Sequence, residues 1–237
     1  GYLPEALLNF LGLMGYSSPD GEEMFELDTM LRDFDVKRIS TSSPVFDMDK
    51  LLWLNGEYIR ADGEAQLTQR ILDHVAYRRG RGLTPDPEEA EVLAWIDAHG
   101  GFEGEAVRAM VGRTIPLIQE RIKTLQEYAP LARCFFATDV SGFSQEEMVP
   151  KKRNAGEVED VLRGVIKALQ TLEPWDTPSI EALLRKLCEE YTWKARELFQ
   201  PVRVACTGSK ISPPLFETIE LLGRETTLAR LEAAVEV

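Results

Sequence analysis

The sequence predicts a mainly α-helical protein, and three observations carry that prediction. From about residue 63 onward apolar residues recur at helical spacing, interrupted only by glycine and proline clusters. No convincing run of alternating apolar and polar residues occurs that would make a strand. Prolines and glycines also fall where helices start and stop. No repeat with a period of about 20 to 50 residues is present, which excludes a regular solenoid.

The elements follow in order. Pro4 suits a first helical turn and Gly15 a helix end, so the first helix lies between them, with Leu7, Leu8 and Leu11 on one face. After a Ser-Ser-Pro-Asp-Gly turn, a second helix spans residues 27–34. Residues 37–44 are polar and helix-poor, and predict an extended loop. A third helix runs over about 47–54, with Leu51, Leu52 and Trp53 as core. Further helices are predicted at 64–79, 88–98, 103–128 with a break at Pro116, and 130–136. Beyond a boundary near residues 139–144 come helices at 156–172, 179–191, 193–199, 214–222 and 225–236. In the 214–222 helix Leu215, Phe216, Ile219 and Leu222 make a buried stripe that Gly223 closes.

Composition limits what the chain can do. At 237 residues, 44% hydrophobic and 28% charged, it has the balance of an ordinary globular protein. The net charge of −13 repels phosphate when averaged over the whole chain. The average hides a gradient: residues 1–62 carry 12 acidic and 5 basic side chains, residues 185–210 carry 3 and 6. Any polyanion must therefore dock locally. Three scattered cysteines without a CxxC pair suggest neither a disulfide framework nor a zinc site, and predict a reducing, cytoplasmic compartment. No apolar run reaches the roughly 18 residues a membrane span needs. A helix-like segment directly after Gly1 predicts a piece of a longer chain.

Catalytic machinery is hard to find. His74 and His99 lack partners at ligand spacing and read as structural, and Cys134 and Cys188 sit in helical patterns as small buried hydrophobes. The GxxxxGK[ST], GxGxxG and GxSxG patterns are all missing. Adjacent acids such as Glu22-Glu23 and Glu189-Glu190 point in different directions on a helix and read as solvated faces. The residues alone thus predict a helical binding module without catalysis or metal of its own.

Three runs, read together, carry a resemblance. They are Gly1-Tyr-Leu-Pro-Glu-Ala-Leu-Leu-Asn-Phe-Leu, then Ser43-Pro-Val-Phe-Asp-Met-Asp-Lys-Leu-Leu-Trp-Leu-Asn-Gly-Glu-Tyr-Ile, then Thr207-Gly-Ser-Lys-Ile-Ser-Pro-Pro-Leu-Phe-Glu-Thr-Ile-Glu-Leu-Leu-Gly-Arg-Glu. With Glu120-Arg-Ile-Lys-Thr-Leu-Gln-Glu-Tyr between them, the chain resembles the C-terminal half of bacterial-type glutamyl-tRNA synthetases, which are class I aminoacyl-tRNA synthetases. Nothing here matches that family's HIGH-type and KMSKS-type motifs, so the resemblance implies that the catalytic domain, with its ATP and Mg2+, is absent from this chain.

The same resemblance implies an α-helical stem-contact region over residues 1–62 and two helical anticodon-binding subdomains at 63–140 and 141–237. It implies tRNA-Glu as partner, no DNA or membrane, and a monomer. It assigns anticodon binding to Arg121, Arg203, Ser212, Pro213 and Leu215, and tRNA stem contact to Ser43, Pro44 and Phe46. Arg203, two residues after Pro201, reads as extended or turn-like, Leu215 as a cover for a base face, and Ser212 as the N-cap of the next helix. Lys151-Lys-Arg153 reads as a basic loop or a phosphate contact. The alternative is a helical protein-interaction module docking another synthetase or an amidotransferase, for which an acidic surface suits a basic partner.

Overall fold

A computed structural model describes residues 1–15, 21–33, 35–38 and 45–236. Among them the regular elements are helices, thirteen of α type, in agreement with the predicted class. None is long and apolar enough to cross a membrane. The chain forms two compact units: residues Gly1–Thr84 with Ile118–Tyr128, and Pro85–Leu117 with Ala129–Val237. Residues 141–237 thus lie in the second unit, whereas residues 63–140 are shared between both, because the chain leaves the first unit and re-enters it.

The first unit holds α1 (Pro4–Leu13), α2 (Leu27–Asp33), α3 (Met48–Ala61), α4 (Glu64–Gly80) and three short 3-10 helices, Val36–Arg38, Gln119–Arg121 and Leu125–Glu127. Asp47 caps α3, its carboxylate accepting from the amides of Asp49 and Lys50 at 3.0 Å. The α3 helix outlasts its predicted end, running on to Ala61 because Leu54, Asn55 and Ile59 continue its buried face. Asn55 is fully buried and joins distant parts of the unit: its Oδ1 accepts from the Leu3 amide at 2.7 Å and its Nδ2 donates to Lys123 O. Arg70 of α4 pairs with Glu5 and, at 2.8 Å, with Asp62.

One apolar assignment is corrected here. Trp53 is 39% exposed rather than core, because α3 turns Leu51, Leu54 and Ile59 inward. On α1 the buried side is Ala6, Asn9, Phe10 and Gly12, which leaves the Leu7, Leu8 and Leu11 face outward. A helix apolar on most sides gives no local signal of which side packs.

The second unit holds α5 (Pro87–Ala98), most of α6 (Glu105–Ile118), α7 (Tyr128–Phe136, starting at the unit boundary), α8 (Gln145–Met148), α9 (Ala155–Gln170), α10 (Thr177–Glu190), α11 (Ala195–Thr207), α12 (Leu215–Leu222) and α13 (Arg224–Val235). Val161, Leu162 and Val165 of α9 pack with Leu184, Leu198, Val202, Ile219 and Leu231 in one core. An Asn154–Glu157 capping box starts α9 and Asp176 caps α10. Pro116 lies inside α6, which ends two residues later rather than breaking there.

The largest departure from expectation is α11, predicted over 193–199 but continuing to Thr207 straight through Pro201. Proline lacks only its own amide bond and disfavours helix in its neighbour. Burial of Leu198, Val202, Val204 and Cys206 outweighs that loss, and Arg203 is therefore helical, not extended.

Candidate nucleic-acid interface

Of the sequence-assigned residues, the structure brings three into direct contact. Arg203, in the penultimate turn of α11, directs Nη1 to Ser212 Oγ and, at 2.8 Å, to Pro213 O. Ser212 Oγ in turn donates to Pro213 O at 3.0 Å. The loop between α11 and α12 is thus tied back onto the helix it leaves. Gly208 begins it in the left-handed region at φ 75°, and its amide closes the last turn on Val204 O at 2.7 Å. Thr207 Oγ1 lies 2.8 Å from Arg203 O and 3.0 Å from Ser209 O, and the Ile211 amide donates to Ser209 Oγ at 3.1 Å.

This tying decides what the loop shows. Ser212 is buried, as is the side chain of Leu215 at 4% exposure, packed with Ile219 and Leu231. Leu215 therefore does not cover a base face: the first inward position of α12 belongs to the core. Ser212 is not the N-cap either, since that position is Pro214, with φ −53° and ψ 132° and no side-chain cap bond. What protrudes is Ile211, 77% exposed, with the exposed Lys210 beside it, whose Nζ lies 3.5 Å from Glu146 O. Sequence reasoning missed Ile211. Its one signal was an apolar residue between a lysine and Ser212 in a loop, a placement that becomes informative only once the neighbours are buried.

Arg121 belongs to the first unit, where it ends the 3-10 helix Gln119–Arg121. Its backbone is held on both sides by fully buried isoleucines, Ile118 and Ile122. Gln119 Nε2 adds bonds of 2.8 Å each to Ile59 O and Asp62 O at the end of α3. The Arg121 side chain stands exposed on this fixed turn. Glu127 accepts the Lys123 amide at 2.7 Å.

Of the stem-contact residues, Ser43 and Pro44 lie outside the described residues. Phe46 is half exposed, its ring edge-on to Phe10 with centroids 4.9 Å apart. The basic run at 151–153 splits: Lys151 and Lys152 are exposed, but Arg153 is bound to Glu197 at 2.9 Å and Glu157 at 3.3 Å, and lies 4.3 Å over the Trp193 ring. Arg185 and Lys186 likewise pair with Glu181 and Glu190 one helical turn away. The local basic surplus read between residues 185 and 210 is therefore carried chiefly by Lys194, Arg196, Arg203 and Lys210.

Nucleophiles are withheld. Burial pushes the Cys134 and Cys206 thiols up to about 12, so neither forms a thiolate near neutrality. His99 stacks on Trp95 at 3.9 Å between ring centroids, with Nδ1 2.8 Å from Trp95 O.

Comparison with known proteins gives the chain's family and fold. Residues 68–235 match the family model described as an anticodon binding domain, and residues 1–53 match that of the class I (E and Q) tRNA synthetase catalytic domain. The glutamate–tRNA ligase of Acidothermus cellulolyticus is 40% identical over 238 residues, covering 100% of this chain and 44% of that protein. That of Cutibacterium acnes is 38% identical over 240 residues, covering 98% and 44%. A crystal structure of a glutamate tRNA ligase from Elizabethkingia meningosepticum in complex with its amino acid shares the fold, with a TM-score of 0.77 at 22% identity over 100% of this chain and 42% of that one. The chain spans less than half the length of the relatives it matches.

Proposed function

The chain belongs to the anticodon-binding domain family, and from that premise we propose that it recognises the anticodon of tRNA-Glu as the C-terminal part of a glutamate–tRNA ligase. The observation that carries the proposal is the tied loop of Arg203, Ser212 and Pro213, which holds Lys210 and Ile211 outward at the start of α12. A fixed loop with one cation and one apolar cover is what an unstacked base with its flanking phosphate requires. Ile211 takes the covering role that Leu215 cannot.

Arg121 supplies selectivity in this reading. Cytosine offers N3 and O2 as acceptors, whereas guanine puts N1–H and N2–H2 donors on the same edge. A guanidinium has only donors, so it satisfies the first and leaves the second unmatched. The difference is worth about 1–3 kcal/mol, enough to favour tRNA-Glu, with cytosine third in the anticodon, over tRNA-Gln, with guanine. Residues 1–62, with Phe46, contact the stem side of the tRNA, and residues 63–140 and 141–237 provide two helical anticodon-binding regions.

Glutamate activation by ATP with Mg2+ falls, in this reading, to a catalytic region other than these residues. Among the described residues no group of three or more His, Cys, Asp or Glu side chains suits a metal ion.

The test is binding of this chain to tRNA-Glu and tRNA-Gln transcripts at low and high salt, with Arg121→Gln in parallel. The proposal expects a preference for tRNA-Glu that narrows in the variant and an affinity that falls steeply with salt. Equal binding of the two transcripts by the unaltered chain would refute the role given to Arg121. No binding at low salt would refute the proposal as a whole and favour a protein partner.

A further inference from the structure

We propose that Arg230, on α13, is the positioning residue that holds the loop between α11 and α12 in its RNA-binding shape; the inference rests on the reading that this loop meets RNA. Its Nη1 donates to Cys206 O at 2.6 Å and to Cys134 O at 2.9 Å, while Nη2 donates to Ala137 O at 2.9 Å. One guanidinium from α13 therefore joins the carboxyl-terminal ends of two other helices, α7 and α11, which come from sequence positions far apart.

The chemistry of those ends explains why a cation belongs there. The last four carbonyls of a helix have no partner within it, and the helix dipole leaves partial negative charge at that end. Arg230 meets two such ends with two nitrogens. It is half buried, so water competes weakly for the same carbonyls. An arginine's planar fork reaches three acceptors in fixed directions; a lysine ammonium on its flexible stem is a single point.

A second contact fixes the same junction from the loop side. A Cβ at Gly208 would stand 2.8 Å from Val140 O, 3.2 Å from Val140 Cβ and 3.3 Å from Arg133 Nη1. The left-handed turn after α11 thus lies directly against the segment following α7. That segment is itself braced, since Arg133 pairs with Glu91 through Nε at 2.8 Å and Nη2 at 3.0 Å. Arg230 and Gly208 seat the start of the loop on residues 133–140, and Arg203 ties its end at Ser212 and Pro213. These three bonds all go to backbone carbonyls, at residues 134, 137 and 206, so in this proposal Arg230 acts on RNA through the backbone it holds.

Two variants of the full 237-residue chain test this: Arg230→Met, which removes all three bonds, and Arg230→Lys, which keeps the charge and stays folded should the first fail to fold. The first readout needs no RNA. Hydrogen exchange of the amides of residues 208–212 and 215 should quicken by about tenfold or more in Arg230→Met and by less in Arg230→Lys, because bonds to a charged donor carry at least about that factor. Amides of α3 and α4, which belong to the other unit, should hold their protection. The second readout is tRNA-Glu affinity, which should fall about tenfold with the salt slope unchanged, because Arg230 neutralises no phosphate. The losses from Arg230→Met and Ser212→Ala should also be less than additive, since both act through one loop.

Unchanged exchange at these loop amides in either folded variant overturns the proposal, as does a reduced salt slope, which would make Arg230 a direct phosphate contact. If the unaltered chain binds no tRNA, the RNA reading fails by itself; the exchange experiment then still reports whether Arg230 holds the loop.

Discussion

Replacing Arg203 by methionine separates loop geometry from charge at the candidate interface. Methionine keeps much of the buried stem while deleting the guanidinium. The structure sets the size of the loss. Nη1 donates to Ser212 Oγ and Pro213 O, but Ser212 Oγ continues to donate to Pro213 O at 3.0 Å, so the buried carbonyl keeps a partner and the hydroxyl keeps its own donated bond. The penalty should sit at the low end for a charge-assisted hydrogen bond, about 1.5 kcal/mol. In a chain of this length that lowers the melting temperature by about 3–6 °C. Circular dichroism melts measure that part. Affinity for a tRNA-Glu transcript, followed by fluorescence anisotropy well below the melt, measures the other. It should fall by about tenfold, because the outward residues Lys210 and Ile211 lose their fixed direction and binding must then order the loop. A salt slope that stays constant assigns Arg203 to holding the loop, whereas a slope reduced by about 0.7–0.9 assigns it to a phosphate. Normal affinity in a variant that melts at the lower temperature would refute the reasoning, because the loop would then be loosened without consequence for RNA.

Other outcomes follow from the same structure. Asn55→Ala should destabilise the first unit by about 2–5 kcal/mol, since the Leu3 amide and Lys123 carbonyl both lose a buried partner; urea titration monitored by tryptophan fluorescence measures it. Glu197 is held below the usual carboxylate range by its hydrogen bond from Arg153, and Asp176 by its cap bond to Ser179. The unfolded chain then binds more protons than the folded one at acid pH. Stability should be fully present above the ordinary carboxylate pKa and fall as pH drops through the depressed folded values. Arg153→Met should shrink that acid dependence in melts taken across pH, and an unaltered profile would exclude the pair as its source. Cys134 and Cys206 should resist an aromatic disulfide reagent at mildly alkaline pH until the chain is unfolded, because burial holds both thiols near 12; rapid labelling of the folded chain would contradict that burial.

Much of this was legible in the residues because helix signals are local. Asp47, Asp86, Asn154 and Asp176 stand at helix starts and accept the first-turn amides, and Gly208 and Gly223 stand at ends, each readable within a few positions. The helical class, most element boundaries and the resemblance that pointed to tRNA all come from that scale. Charge patterning also located the basic surplus between residues 185 and 210. It could not say which cations were engaged, because Arg153 meets Glu197 forty-four residues away.

What only the tertiary structure decided are the choices between locally equal options. The α1 helix offers leucines on one side and Ala6, Asn9 and Phe10 on another, and the hydrogen bonds of Asn9 to Glu23 and Phe25 select the second. The α11 helix meets Pro201, a local stop, and continues because Leu198, Val202, Val204 and Cys206 are buried on either side of it. Leu215 was available to RNA until the core took it. Arg230 carries no motif, and its role arises where helices ending at Phe136 and Thr207 come within reach of one guanidinium. Backbone propensity is set by neighbours in sequence, so the residues determine what each segment becomes. Burial and long-range hydrogen bonding are set by neighbours in space, so the fold determines which side chains remain for a partner.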